Sequence, residues 1–327
     1  MAAPPRRPAS LSVVIVNWES FPELTGCVAS LARHRPEPRL LGVELCVVDN
    51  GSRHLDEDAL RRCWPDLLLI RNQENRGFGP AANQGVARTG GEVVLFLNPD
   101  TRATAGALVE LAHGFASGPD VVGVAPRLVD AATPGIEPQE RFHLRRLPTL
   151  GQVLRELLLL DKLFPASAAI RRERYLDADR SRPFAVEQPA AAALAVRREV
   201  FLAAGGFDER FVPAWFEDVD LCRRLTEFGT LLYWPAATFE HVGGVSAVRL
   251  GYHRFLPTYY RNACRYVRKY GGLCGELGFR ALLALGMALR LAVLPFRRSV
   301  PRARREAALA YARTALVALG LPPPPVS

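Results

Sequence analysis

Apolar and polar positions follow two periods along the first part of the chain. Residues 11–17 (LSVVIVN), 43–48, 67–71, 93–97 and 121–125 are short β-branched or leucine-rich runs, and they read as five buried strands. Between them the apolar positions recur at helical spacing, which predicts helices over 21–33, 56–63, 77–88 and 105–115. Further on, residues 190–196 predict a strand, 197–204 a helix, 217–228 a helix and 231–234 a strand. Strands alternating with helices at this spacing imply a largely parallel, doubly wound α/β sheet. Ligands of such sheets bind beyond the carboxyl ends of the strands. Asn17, Asp49 and the Asn98-Pro99-Asp100 run all fall at predicted strand ends, so one site can collect them.

Composition sharpens this picture in three ways. The 327 residues are enough for one large α/β domain with an appendage. The net charge of +9 is uneven. Residues 249–327 hold 14 Lys and Arg against Glu276 and Glu306, a balance of +12, and leave −3 for the remainder. A basic tail of this kind points to a polyanionic partner, nucleic acid or an anionic membrane surface. The six cysteines form no C-x-x-C pair, so no zinc site is signalled and reduced cytoplasmic thiols are expected.

The expected organisation is a Pro/Ala/Arg leader over 1–10 with no secretory apolar core, then an α/β domain over 11–248 in two halves, 11–125 and 126–248, with an irregular insertion at 126–189. A basic helical extension over 249–321 and a Pro-rich end at 322–327 follow. No run reaches the roughly 18–20 apolar residues of a spanning helix, because the best stretch, 281–296, contains Arg290 and Pro295.

Five places carry candidate chemistry. Asp49 precedes Asn50-Gly51-Ser52. A carboxylate there can accept the ring N–H of uracil or thymine while the turn lets the backbone pass close; an N-cap or Asx-turn role fits the same residue. Residues 75–85 (NRGFGPAANQG) place a relaxed Gly-x-Gly-x-x-Ala pattern at a helix start. Nucleotide approach and tight helix–sheet packing both account for it. Asp100 can hold a divalent cation bridging a diphosphate, or close a Pro-Asp turn. Glu217, Asp218 and Asp220 open a helix; Asp220 pairs with Arg224 at i,i+4, which leaves Glu217 and Asp218 for general-base work. His241 precedes a Gly-Gly turn, and metal-ligand and structural roles stand level for it.

Seven strings in order, VVIVNW, VVDNGS, NRGFGPAANQG, FLNPDT, GGFDERF, FEDVDLCRRL and HVGGVS, resemble the family 2 glycosyltransferases over roughly 11–270. The nearest likeness is to the bacterial rhamnosyltransferase-type branch that elongates cell-surface glycans. The resemblance implies a GT-A fold, a dTDP- or UDP-sugar donor, Mg²⁺ or Mn²⁺, and inverting transfer to a glycan or lipid-linked acceptor in cell-envelope polysaccharide synthesis. It also implies that 11–248 is the catalytic domain, with 11–125 its nucleotide-sugar half and 126–248 its acceptor and catalytic half, and it implies roles by position. The nucleotide-sugar set is Asn17, Asp49, Asn50, Gly51, Asn75, Gly77, Asn83, Asn98 and Asp100. Asp218 is the base with Glu217 beside it, and Asp100 with His241 forms the metal site. Two departures from the family pattern stand out: Asn98 replaces the first acid of the D-x-D element, and alanines 190–193 replace a Gly-Ala pair on the acceptor side. There is no Q-x-x-R-W element.

The tail alternates Arg265, Arg268 and Lys269 with Tyr259, Tyr260, Tyr266 and Tyr270 ahead of an apolar stretch and an Arg cluster. This suits the inner face of the cell membrane, with the protein peripheral there; an amphipathic helix packed on the domain is the other reading. No nucleic-acid module is recognisable, so nucleic acid is not expected as a partner. Two rival functions share the fold class. A sugar-phosphate nucleotidyltransferase would need a Gly-rich basic loop after the first strand, where Asn17-Trp18-Glu19 stands. A catalytically inactive sugar-nucleotide or membrane-binding homologue would not need the acid pair.

Overall fold

The computed structural model describes residues 7–130, 143–241, 250–296 and 300–321. The first six leader residues, 131–142 of the insertion, the Val242–Ser246 part of the last motif, Arg297, Arg298 and the Pro-rich end lie outside them. The chain forms two compact units. The first comprises Met1–Leu147, Arg172–Val212 and Glu217–Gly243, and the second comprises Pro148–Arg171, Pro213–Phe216 and Gly244–Ser327.

The first unit is built on β1 (Ser10–Asn17), β2 (Gly42–Asn50), β3 (Leu68–Asn72), β4 (Val93–Leu97), β5 (Thr101–Ala103) and β6 (Val121–Asp130). To these it adds β7 (Leu144–Arg145), β8 (Phe184–Ala185), β9 (Gln188–Pro189), β10 (Ala193–Arg197) and β11 (Thr230–His241). The central sheet runs β3-β2-β1-β4-β10-β6-β11-β5, with β8 also on β11, while β7 and β9 pair separately. β3, β2, β1 and β4 are mutually parallel, as are β6 and β11. β10 runs antiparallel between β4 and β6, so the mostly parallel sheet is mixed at its centre.

Strand periodicity explains the layering. Successive side chains point to opposite faces. Val13, Ile15, Leu45, Val47 and Leu95 therefore join one core with Leu24, Val28 and Leu31 of α1 (Phe21–Arg33), Leu60 of α2 (Glu57–Cys63) and Phe115 of α4 (Ala107–Ala116). Val14, Cys46, Val48 and Phe96 join the other core with Ala81, Ala82 and Val86 of α3 (Phe78–Ala87). α3 lies tight against the sheet: a Cβ on Gly85 would stand 2.5 Å from Val14 Cγ1. The predicted N-terminus of α2 holds, since the Asp56 side chain accepts from Ala59 N at 2.9 Å.

Two expectations change. β11 does not stop at Trp234. Its register against β6 shifts between Trp234 and Thr238, across Pro235, and pairing resumes to His241. Pro cannot donate to a ladder, so the strand passes it as a bulge rather than ending there. β5, three residues long and without a period to read, pairs with the end of β11.

The second unit contains α5 (Leu150–Leu157), the short α6 (Leu160–Leu163), most of α7 (Ala168–Glu173), α10 (Tyr252–Val293) and α11 (Pro301–Ala318). The first unit holds α8 (Arg198–Ala203) and α9 (Glu217–Leu225). α10 breaks into two arms at Gly272, where φ is 65°. The expectation about apolar length is also corrected: the helical run Tyr252–Phe296 contains an 18-residue window of mean hydropathy 1.8, long and apolar enough to cross a membrane by length and composition. Arg290 interrupts that stretch in sequence but is buried. Its guanidinium donates to Leu157 O and Glu156 O, both at 2.7 Å, and to Gly286 O at 3.1 Å. Both of the first two carbonyls lie in the last turn of α5, where the helix dipole favours a cation.

Candidate active site

The carboxyl edge of the first unit's sheet gathers the predicted nucleotide residues. β1 ends in Asn17 and β2 in Asp49-Asn50, in register with each other and with Arg71-Asn72 of β3. Asn17 and Asp49 are almost wholly buried. Asn17 Nδ2 donates to Asp49 Oδ1 at 3.0 Å and to Ser52 Oγ at 3.1 Å. Arg71 Nε lies 3.7 Å from Asp49 Oδ2. Asp49 Oδ2 and Asn17 Oδ1 have no hydrogen-bond partner among the described residues. Buried polar atoms are rarely left so, and two acceptors side by side ask for donors from outside the chain.

Asn50 does different work. Its Nδ2 donates to Asn75 Oδ1 (2.9 Å) and Gly77 O (3.1 Å), and its Oδ1 accepts from Asn72 Nδ2 (3.0 Å) and Arg76 N (3.1 Å). Every hydrogen-bonding position of the amide is used, which ties the 75–77 loop to the end of β2. Asn75 Oδ1 also accepts from Gly77 N at 2.9 Å, just ahead of α3. Gly51, at φ 81°, lies beneath this loop; a Cβ there would stand 2.6 Å from Glu74 C. Asn83 is turned to another segment: its amide donates to Phe207 O and Glu209 Oε1 and accepts from Phe207 N, which fixes the turn after Gly205-Gly206.

Asn98 follows β4 and is half-buried, its N–H bonded to Ala192 O at 2.9 Å and its carbonyl accepting Thr101 Oγ1 at 2.7 Å. β5 then sets Thr101 opposite His241 in the ladder. That pairing brings Asp100 Oδ1 within 3.2 Å of His241 Nε2, both side chains buried. Adjacent ligands at ~2.1 Å from an octahedral ion stand about 3.0 Å apart, so the pair fits two positions of one divalent cation. Among the described residues no cluster of three or more His, Cys, Asp or Glu forms, so a cation held here would take its remaining ligands from diphosphate and water.

The acid pair opens α9. Asp218 Oδ1 accepts Val219 N at 2.8 Å, and Oδ2 lies 3.4 Å from both Gln188 Nε2 and Ala191 N. Burial raises its pKa, while Arg145 on β7 and the backbone donors pull it back. Glu217 is buried, with Oε2 lacking a hydrogen-bond partner. Its pKa stands well above the ordinary carboxyl range because of burial first and the charge of Asp218 second. Of the two acids, Glu217 is the more strongly disfavoured as an anion, which leaves Asp218 the better placed to act as base. Asp220 pairs with Arg224 Nη2 at 2.8 Å, the structural role foreseen for it.

The β7–β9 pairing supplies residues that sequence reasoning missed. Arg145 sits opposite Gln188 in the ladder, and both act on Asp218. His143 is buried, with Nε2 2.8 Å from Pro126 O and Nδ1 without a hydrogen-bond partner among the described residues. Burial lowers its pKa to about 3, and the nearby His241 adds to the lowering, so it is neutral. A two-residue strand in an irregular stretch carries no periodicity to mark these positions in advance.

Known proteins share this architecture. The chain matches the sequence profile described as Glycosyl transferase family 2 over residues 12–176. It is 30% identical over 245 residues to N-acetylglucosaminyl-diphospho-decaprenol L-rhamnosyltransferase of Mycobacterium tuberculosis, covering 71% of this chain and 75% of that protein. Among solved structures, mannosyltransferase PcManGT from Pyrobaculum calidifontis, in complex with GDP-Man and Mn²⁺, superposes with a TM-score of 0.55 at 18% identity. That match covers 96% of this chain and 87% of the other. GalNAc-T7 with UDP, GalNAc and Mn²⁺ gives 0.54 at 20% identity over 78% of this chain, which spans 48% of that protein's length. The fold is therefore of the GT-A kind. With half its length matched by the family's profile and a 30% identical rhamnosyltransferase relative aligned over 71% of it, this chain belongs to the family 2 glycosyltransferases.

Proposed function

We propose that the protein is an inverting transferase that moves a sugar, rhamnose being favoured, from a dTDP- or UDP-linked donor. The acceptor is a glycan or lipid-linked intermediate of envelope polysaccharide synthesis. The observation that carries the reading is the meeting of Asp100 and His241 at 3.2 Å, on the sheet edge where β2 ends in Asp49. The relative's name, an L-rhamnosyltransferase acting on a diphospho-decaprenol, supports the donor and acceptor classes. The Mn²⁺ present in both neighbouring structures supports a divalent ion.

Asp49 Oδ2 and Asn17 Oδ1 accept from the nucleobase edge. Asn75 and Gly77 hold the backbone close to the nucleoside. Asp100 and His241 would hold Mg²⁺ or Mn²⁺, which when bound neutralises charge on the leaving diphosphate. Asp218 takes the proton of the acceptor hydroxyl. The freed oxygen attacks the anomeric carbon from the face opposite the diphosphate, the C–O bond to the diphosphate breaks, and the configuration inverts.

The second unit supports attachment to the inner face of the membrane. Among the described residues, 15 of the 19 large apolar side chains that are clearly exposed belong to it, beside a tail of +12 charge. Clustered apolar exposure on this scale with a basic balance suits an anionic bilayer surface.

A screen of nucleotide-sugar consumption with and without Mn²⁺, on wild type and Asp218→Asn, tests the chemistry. Wild type should consume a dTDP- or UDP-sugar only with the ion. The variant should bind nucleotide normally and turn over about 10²–10⁴-fold more slowly. A variant as fast as wild type would remove Asp218 from the role of base.

A further inference from the structure

The second arm of α10 has its polarity turned inside out. At about 100° of turn per residue, every exposed position from 273 to 292 falls within an arc of about 140°. Leu273, Leu277, Ala281, Leu285, Ala288 and Ala292 run down that arc, and among the described residues no charged side chain shares it. The charges of the arm lie on its other side. There Arg280 Nε donates to Glu276 Oε1 at 2.8 Å and its Nη1 to Val317 O of α11, while Arg290 is buried on the carbonyls of α5. Phe279, Leu283 and Met287 are buried on that side too. A helix on a water-facing surface does the reverse and turns its charges outward.

The apolar exposure is large. Leu273, Leu277 and Leu285 are 54%, 56% and 56% exposed. Twenty residues of helix make a stripe about 30 Å long, and a contiguous apolar surface of that size marks contact with another apolar body.

Charge selects a bilayer over a second copy as that body. The arm leads into α11, whose first turn exposes Arg302 and Arg305, within a tail of +12. Two copies joined along the stripe would set two such tails together, whereas an anionic leaflet attracts them. Packing on the other side decides how the arm lies. α11 and α5 cover that side, and a Cβ on Gly286 would stand 2.9 Å from Leu157 O, so lipid has no room there. Crossing the bilayer with these partners in place would carry Glu276, Arg280, Arg290 and the arginines of α11 into hydrocarbon, where charge is costly.

We infer that the second arm of α10 is a monotopic anchor, lying along the plane of an anionic membrane with the 273–292 stripe sunk about 5–10 Å into one leaflet. The inference rests on the proposed attachment to the membrane, and adds which element enters it and in what orientation.

The test uses the full chain. Cys274 lies exposed on the stripe, Cys63 is partly exposed, and the other four cysteines are buried. A Cys63→Ser protein therefore takes a nitrobenzoxadiazole fluorophore at Cys274. Ala281→Cys and Ala292→Cys, each with Cys63→Ser and Cys274→Ser, place the same fluorophore at the middle and far end of the stripe. Phosphatidylglycerol vesicles should at least double the emission at all three positions. A nitroxide near the lipid headgroup should quench all three equally, and more than one at the end of the acyl chain. Leu285→Glu should weaken partition into the vesicles tenfold or more. Unequal depths would mean a spanning helix, and emission that rises with protein concentration in the absence of vesicles would mean a second copy. Protein that sediments with the vesicles while the fluorophores stay unchanged, or while Leu285→Glu partitions like wild type, would mean another contact surface. Each of these results overturns the inference. The last leaves the membrane attachment standing, whereas protein that does not sediment with the vesicles at all removes both.

Discussion

Replacing Asp49 by Asn isolates what its carboxylate does for the nucleotide. Oδ1 accepts from Asn17, and Oδ2 has no hydrogen-bond partner among the described residues. An amide at this position keeps the first contact, because its oxygen can still accept from Asn17 Nδ2. It puts an NH₂ where Oδ2 stood, so a donor meets the ring N–H of the base. It also removes the negative charge 3.7 Å from Arg71. The buried Asn17–Ser52 network survives, so the fold should lose little. What is lost is one hydrogen bond to a charged group, about 1.5–3 kcal/mol, or about a 10- to 150-fold weaker Kd for the nucleotide. Because Asp49 acts on a part of the donor remote from the breaking bond, the loss should fall on binding and leave kcat at saturating donor within a few-fold. Calorimetric titration of dTDP and UDP into both proteins, paired with initial rates, measures each quantity. A variant that binds nucleotide like wild type, or one whose kcat collapses while Kd is unchanged, would refute the division of labour between Asp49 and the acid pair.

Glu217→Gln should alter stability in a pH-dependent way. A carboxyl whose folded pKa is raised leaves folding unpenalised below its unfolded pKa of about 4.3 and penalises it as pH rises toward the folded value. The Gln variant lacks that penalty, so its melting temperature should gain on wild type between pH 5 and pH 8; a constant gap would contradict it. The raised pKa of Asp218 should displace the acid limb of kcat/KM above the ordinary aspartate value, with rate falling as pH drops through it, and Asp218→Asn should erase that limb in its residual rate. Arg290→Met removes the guanidinium that donates to the carbonyls of Glu156, Leu157 and Gly286 and should cost about 1–3 kcal/mol in urea unfolding. With UDP or dTDP present, Mn²⁺ should raise the melting temperature of wild type by several degrees, and His241→Ala should remove most of that gain. Full-length protein should sediment with phosphatidylglycerol vesicles, release as salt rises, and bind phosphatidylcholine vesicles weakly.

Most strands and helices of the first unit could be read in advance because each buries a face of its own. Residues 21–33 and 93–97 match their elements to the residue. The ends of β1 and β2, and with them Asn17 and Asp49, follow from the same local pattern. The remainder depends on pairings between distant segments. No local period shows that β10 enters antiparallel between β4 and β6, or that three residues after Asp100 form a strand opposite His241. Nor does one show that Arg145 and Gln188 converge on Asp218. Pro235 misled in the opposite sense, since a residue that ends most strands is passed here by a register shift. Arg290 misled by its charge, which sequence reading counts as polar although the structure buries it on carbonyls.

The place of β10 in the sheet has a consequence for synthesis. β4, entirely apolar (VVLFL), pairs with β1 on one side as soon as both are made; its other edge is covered only by Ala193–Arg197. About 95 residues separate the two strands, which at about 5–20 residues per second leaves that edge open for about 5–20 s on the ribosome. An unpaired apolar edge invites pairing with other chains. The nascent protein thus passes through a window in which the nucleotide-handling strands are already folded and sticky, and holdase chaperones that bind extended apolar segments should raise the soluble yield most when translation is slow.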